Sequence, residues 1–223
     1  MTWTIPNILT TLRLLAAPGV AVMFLYFNRP WADWAALALF LGAAITDYFD
    51  GYLARLWKQE SRFGAMLDPI ADKAMVVIAL LVLTGYSGMN PWMILPATVI
   101  LFREVFVSGL REFLGANAKL LQVTKLAKWK TTAQMVAIAV LFLGTGLEFV
   151  QLRAYHTMNP ADYDRLLIAG PFDWNGLWLA ATGGWYAGMM GYVLIWIAAS
   201  LTLITGWDYF RKALPFLRDG AER

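Results

Sequence analysis

Long apolar stretches separated by short polar ones dominate this chain of 223 residues. In order, the apolar runs are 12–27, 31–57, 63–85, 92–113, 131–147 and a last one within 176–205. Each meets or approaches the ~20 apolar residues that a helix needs to cross a bilayer. The pattern therefore predicts an all-α, polytopic membrane protein: one domain over residues 1–223, built as a six-transmembrane-helix bundle. The breaks are short, namely Asn28-Arg29-Pro30, a polar turn at 58–62 and an uncharged loop at 85–91. Interfacial segments are expected at both ends. Trp3, Pro6 and Asn7 suit a helix start at the membrane surface. The tail from Trp207 mixes aromatic and basic residues, as surface-lying segments do. Two further stretches read as non-spanning: a basic connector with Lys119, Lys125, Lys128 and Lys130, and a polar, irregular segment at 148–173 with Pro160 and Pro171.

Composition supports the membrane assignment. The chain is 60% hydrophobic and 15% charged, against roughly 25% charged in soluble domains. With no cysteine, disulfide and thiol chemistry are excluded, and a single histidine, His156, excludes a multi-His metal site. The N-terminus has neither a basic leader region nor a small-residue cleavage site, so the first span is expected to belong to the mature protein. Nothing in the chain suggests a nucleic-acid partner. Of the 18 lysines and arginines, only Arg29, Arg153 and Arg165 fall on one side of the predicted bundle; the other fifteen fall on the opposite side or in helices near it. The positive-inside rule then places both termini in the cytoplasm.

Four acids break the apolar pattern in the second and third runs. Asp47, Asp50, Gly51 and Ala54 recur at i, i+3, i+4 and i+7, and Gly64, Asp68 and Asp72 at i, i+4 and i+8, each set on one helix face. If these helices are antiparallel neighbours across the 58–62 turn, Asp47 comes level with Asp72 and Asp50 with Asp68. At about 1.5 Å per residue both levels lie ~12–20 Å from the turn, near the cytoplasmic face. Four carboxylates there either keep protons or are neutralised by cations. All-oxygen ligation favours a hard divalent ion, Mg²⁺ or Mn²⁺. The small residues clear space for a ligand, and Arg55 adds a cation suited to a phosphate. Carboxylates, metal and arginine together suggest phosphoryl-type transfer.

The spacing Asp47-x2-Asp50-Gly51-x2-Ala54-Arg55-x8-Gly64-x3-Asp68-x3-Asp72 resembles the signature of the CDP-alcohol phosphotransferase family at all eight of its fixed positions. The resemblance implies a six-helix membrane domain, a homodimer and two divalent ions. It implies Asp47, Asp50, Asp68 and Asp72 as metal ligands, with Asp72 also the catalytic general base. Gly51, Arg55 and Gly64 are implied to hold the CDP group. Further stretches, IPNILTTLRL near the start, REVFVSGLRE at 103–112 and KWKTTAQM at 128–135, resemble the bacterial branch of the family that makes phosphatidylglycerophosphate. That branch implies CDP-diacylglycerol as donor, glycerol 3-phosphate as acceptor, CMP as by-product and a place among the lipids of the bacterial inner membrane. The segment 148–175 departs from it in length.

A dianionic acceptor needs cations. Arg103, Arg111 and Lys128 are the expected phosphate ligands, with Lys125 and Lys130 nearby; Arg103 and Arg111 are eight apart, on roughly one face. Pairing with Glu104 or Glu112 is the competing use of the two arginines, and Lys73 has Asp72 or Asp68 within reach. Asn7, Thr10 and Arg13 either contact the nucleotide or anchor the first helix. Two other functions stay open at this point: a family member with a different acceptor, and a membrane cation transporter. The gathering of the acids at one membrane face counts against the transporter.

Overall fold

Capped helix starts and apolar stripes organise the chain, as a computed structural model shows. The structure describes residues 4–57, 61–115, 125–172 and 176–217, and of residues 48–55, 125, 127, 128 and 172 the backbone only. The helices are α1 (Ile5–Tyr26), α2 (Trp31–Leu56), α3 (Arg62–Tyr86), α4 (Pro91–Leu114), α5 (Lys125–Thr157), α6 (Pro160–Ala169) and α7 (Leu177–Leu217). Among the described residues there is no strand. Thr4, Ser61, Asn90 and Asn159 cap α1, α3, α4 and α6, each accepting a backbone N–H of the first turn, and a proline follows the cap in α1, α4 and α6. These are the side chains and ring that suit the unsatisfied donors of a helix start.

Six of the seven helices are long, and they correspond to the six expected runs. Four have windows apolar enough to cross a membrane: α1, α4, residues 129–157 of α5, and α7. The other two, α2 and α3, are as long, at 26 and 25 residues, but carry the aspartates. The helices alternate in direction. One end of the bundle collects the start of α1, the end of α2, the starts of α3 and α5 and the ends of α4 and α7.

Among the described residues, the extensive packing of α2 and α3 is against α1, which lies on both of them. The contact is close because small residues face it: a Cβ on Gly64 would come within 2.8 Å of Asn7 Oδ1. The buried core runs through all six long helices, with Phe24, Phe40, Met75, Leu80, Ile100, Ile138, Phe142 and Ile195 among its larger members.

The segment expected to be polar and irregular is helical over most of its described length, and so are residues 125–130 of the basic connector, which open α5. Residues 148–157 continue α5, and Asn159-Pro160 starts α6. That pair is a cap followed by a first-turn proline, a start signal as much as a break. At the other end, α7 does not stop near residue 205 to leave a separate surface segment. It runs on for 41 residues, about 60 Å at 1.5 Å per residue, twice the ~30 Å hydrocarbon layer. The extension is held by burial of Tyr209 and Ala213 against Val107, Leu110 and Leu114 of α4. Gly184 lets α7 lie close on α5: a Cβ there would meet Glu148 N at 3.2 Å and Leu147 Cβ at 3.3 Å.

Candidate active site

The first helix completes the acidic site. Arg13, 3% exposed, reaches from α1 between α2 and α3. Its Nη1 donates to Asp47 of α2 and, at 2.6 Å, to Asp72 of α3. The two acids expected at one level therefore do meet, on a single guanidinium nitrogen. Their side chains are 48% and 53% exposed, against 2% for that of Arg13. The carboxylates are open to a ligand while the cation beneath them is sealed in protein.

Two more contacts fix α1 to α3. The Thr10 hydroxyl donates to Asp68 Oδ1 at 2.8 Å. The Ser61 hydroxyl donates to Asn7 Oδ1 at 2.7 Å while accepting the Gly64 N–H at 2.9 Å. Gly64 is therefore small because α1 lies against it, a use that its expected role at the CDP group did not include. The side chains of Asp50, Arg55 and Lys128, and the surroundings of Gly51, lie outside the described residues.

Two cavities share Asp72 as wall. One, of about 270 Å³, lies between Asp47, Arg13 and the apolar side chains Ala43, Met75, Met135 and Val136. The other, of about 280 Å³, is bordered by Asp72, Lys73, Arg103, Glu104, Arg111, Lys130 and Gln134. Val76 and Thr131 also line both. The second cavity carries four cations against two carboxylates, a formal excess of two positive charges.

The cations are held in place by their neighbours. Glu104 accepts from Arg103 Nη1 at 3.1 Å and from Lys130 Nζ. Lys73 donates to the Ser108 hydroxyl, not to Asp68 or Asp72. The Tyr209 ring lies 5.5 Å from both Arg103 Cζ and Arg111 Cζ, within cation–π range. A Cβ on Gly206 would come within 3.1 Å of Arg103 Cγ, so the α7 backbone makes room for that arginine.

Arg103 and Arg111 thus line one basic cavity together with Asp72. Lys130, expected nearby, lines the same cavity, and sequence reasoning left three contributors out of the site: Lys73, Gln134 and Tyr209. Gln134 is one helical turn beyond Lys130 and falls inside the KWKTTAQM stretch, a signal that could have found it. Nothing in the tail marks Tyr209 apart from its aromatic character. Among the described residues no three acidic or histidine side chains stand close enough to hold an ion. The single charge of the Arg13 guanidinium is shared between Asp47 and Asp72, leaving the pair one negative charge in excess.

Known proteins decide the family. The CDP-alcohol phosphatidyltransferase domain matches residues 3–204. The chain belongs to the CDP-alcohol phosphatidyltransferase family. A family member from Cereibacter sphaeroides, named CDP-diacylglycerol–glycerol-3-phosphate 3-phosphatidyltransferase, is 72% identical over 222 residues, covering 98% of this chain and 99% of its own. Proteins of the same name from Rickettsia bellii and Escherichia coli K12 are 36% identical over 213 residues and 43% identical over 141. The first covers 95% of this chain and 96% of its own, the second 62% and 76%. This family of membrane transferases generally uses a divalent metal.

Proposed function

We propose that this protein transfers the phosphatidyl group of CDP-diacylglycerol to the 1-hydroxyl of glycerol 3-phosphate, yielding phosphatidylglycerophosphate and CMP. The observation that carries the reading is the pair of cavities sharing Asp72. A transfer between two substrates needs a reacting group between two sites. One cavity is apolar with an acidic rim, suited to a lipid-linked diphosphate held through cations. The other has a net excess of two positive charges, matched to a phosphate dianion. The relatives' shared name supports the same donor and acceptor.

In this reading Arg103, Arg111, Lys130 and Lys73 bind the acceptor's phosphate, Lys128 adds to them from the start of α5, and Glu104 and Tyr209 hold the arginines and Lys130 in position. The acceptor's 1-hydroxyl then reaches Asp72, which takes its proton as the oxygen attacks the lipid-side phosphorus. The bond from that phosphorus to the CMP oxygen breaks, and CMP leaves. Gly51, Arg55 and Gly64 hold the CDP group. The carboxylates of Asp47, Asp50, Asp68 and Asp72 are hard oxygen donors that fit Mg²⁺ or Mn²⁺, two ions in all. Bound there, such ions supply charge stabilisation at the diphosphate. Arg13 keeps Asp47 and Asp72 facing each other from beneath.

The site faces the cytoplasm of a bacterial inner membrane, with both termini on that side; the lysine and arginine distribution supports this. A homodimer is part of the same reading, on the strength of the family resemblance. The deciding experiment measures CMP release by purified protein with CDP-diacylglycerol, divalent metal and a panel of acceptors. Release that requires glycerol 3-phosphate is expected. Equal release with serine or inositol phosphate overturns the acceptor assignment.

A further inference from the structure

One buried polar atom in the acceptor cavity has no use in the scheme so far. Gln134 is 2% exposed and lines the cavity of Asp72, Arg103 and Lys130. Its Oε1 is sealed from solvent and has no hydrogen-bond partner among the described residues. A buried acceptor left in this state is destabilising, so the fold keeps the amide there against a penalty. Its position is also telling. It lies one turn deeper along α5 than Lys130, on the same face, and so below the cations. The torsion that orients its terminal amide is broad, so a small turn presents the oxygen to a ligand in the cavity.

The cations and Asp72 account for two parts of the acceptor, the phosphate and the attacking hydroxyl. Glycerol 3-phosphate has one further polar group, the central hydroxyl, and that group needs an acceptor for its proton. We infer that Gln134 accepts a hydrogen bond from the central hydroxyl and is thereby a specificity-determining residue for the acceptor. This rests on the acceptor reading above. A site built to bond a hydroxyl rejects the analogue without it strongly, because its own polar group is then left buried and unpaired.

The test compares glycerol 3-phosphate with 3-hydroxypropyl phosphate, which keeps the phosphate and the attacking hydroxyl and lacks the central one. The readout is the ratio of their kcat/KM values for CMP release, in wild type, Gln134→Met and Gln134→Glu. Wild type should prefer glycerol 3-phosphate by at least about 100-fold. Gln134→Met, similar in length and without a strong acceptor, should bring the ratio to within a few-fold of one, mainly by losing activity on glycerol 3-phosphate. Gln134→Glu keeps an acceptor oxygen and should retain most of the preference. A wild-type ratio near one overturns the inference without any variant, so a misfolded Gln134→Met does not protect it. An equal loss on both acceptors in Gln134→Met, at an unchanged ratio, also overturns it and makes the residue structural. If wild type releases no CMP with glycerol 3-phosphate, the acceptor reading itself falls and takes the inference with it; CMP release with an unchanged ratio sinks the inference alone.

Discussion

Asp72 is the residue on which the most depends. It faces both cavities, shares a guanidinium nitrogen with Asp47 and is half exposed, so it can meet a substrate hydroxyl. Replacing it with asparagine keeps the shape and removes the base. Turnover should fall by about 100-fold or more, measured as CMP release, and near-normal turnover would remove Asp72 from that role. The metal reading has its own check. Excess EDTA should abolish CMP release and added Mg²⁺ or Mn²⁺ should restore it; activity that survives chelation counts against carboxylate-held ions. Arg13 illustrates a different point. A buried guanidinium between two acids looks like a structural ion pair, yet the acids it holds are the open ones. Its contribution is to orient carboxylates whose free faces point to ligand.

At the scale of elements, the decisive piece is α1. It packs against both α2 and α3, and its polar stripe of Asn7, Thr10 and Arg13 meets Ser61, Asp68, Asp47 and Asp72. Gly64 sets how near α1 can come. A methyl group there lands 2.8 Å from Asn7 Oδ1, an oxygen already bonded to the Ser61 hydroxyl, so Asn7 cannot swing aside without losing that bond. Gly64→Ala should destabilise the protein by about 1–3 kcal/mol, as overpacking does, seen as a lower thermal midpoint in detergent. Combining it with Asn7→Ala should cost less than the sum of the two single changes. Strict additivity would mean that the two helices are not in contact at this point. The extension of α7 belongs to the same scale: Tyr209 stands beside Arg103 and Arg111 only because the helix continues past the membrane core and lies on α4.

The whole molecule has a chemical direction. One end carries the aspartates, Arg13, Lys73, Arg103, Arg111 and Lys130. The other carries Arg29, bonded to Asp33 at 2.5 Å and to the Thr145 carbonyl at 3.0 Å, together with α6. With no native cysteine, the orientation can be read from single introduced ones. In intact cells a membrane-impermeant maleimide should label Arg165→Cys in α6 and leave Lys212→Cys at the end of α7 unlabelled until the membrane is opened. The reverse pattern would invert the topology and put the acidic site outside the cytoplasm.

Sequence by itself determined the helices, the side on which charge gathers and the acids that meet. The reason is that each is local or additive: apolar run length, lysine and arginine placement, and a 3.6-residue period that puts Asp47 and Asp72 at matching depth. It misread residues 148–157, 160–169 and 206–217 because polar composition there resembles loop or surface sequence; Asn159-Pro160 is a helix start as much as a break, and the burial of Tyr209 and Ala213 against α4, which holds the last segment, is not local. Only the tertiary structure decided what stands between the acids. The packing of α1 against both acid-bearing helices, the second use of Gly64, the choice of Lys73 as a cavity cation and the clamp of Tyr209 all join residues distant in the chain. No periodicity encodes such pairings, since they depend on which helix faces pack together. The orphaned oxygen of Gln134 is the clearest case: a glutamine in an apolar helix is unremarkable in sequence, and becomes informative only once its neighbours are known to leave it without a donor.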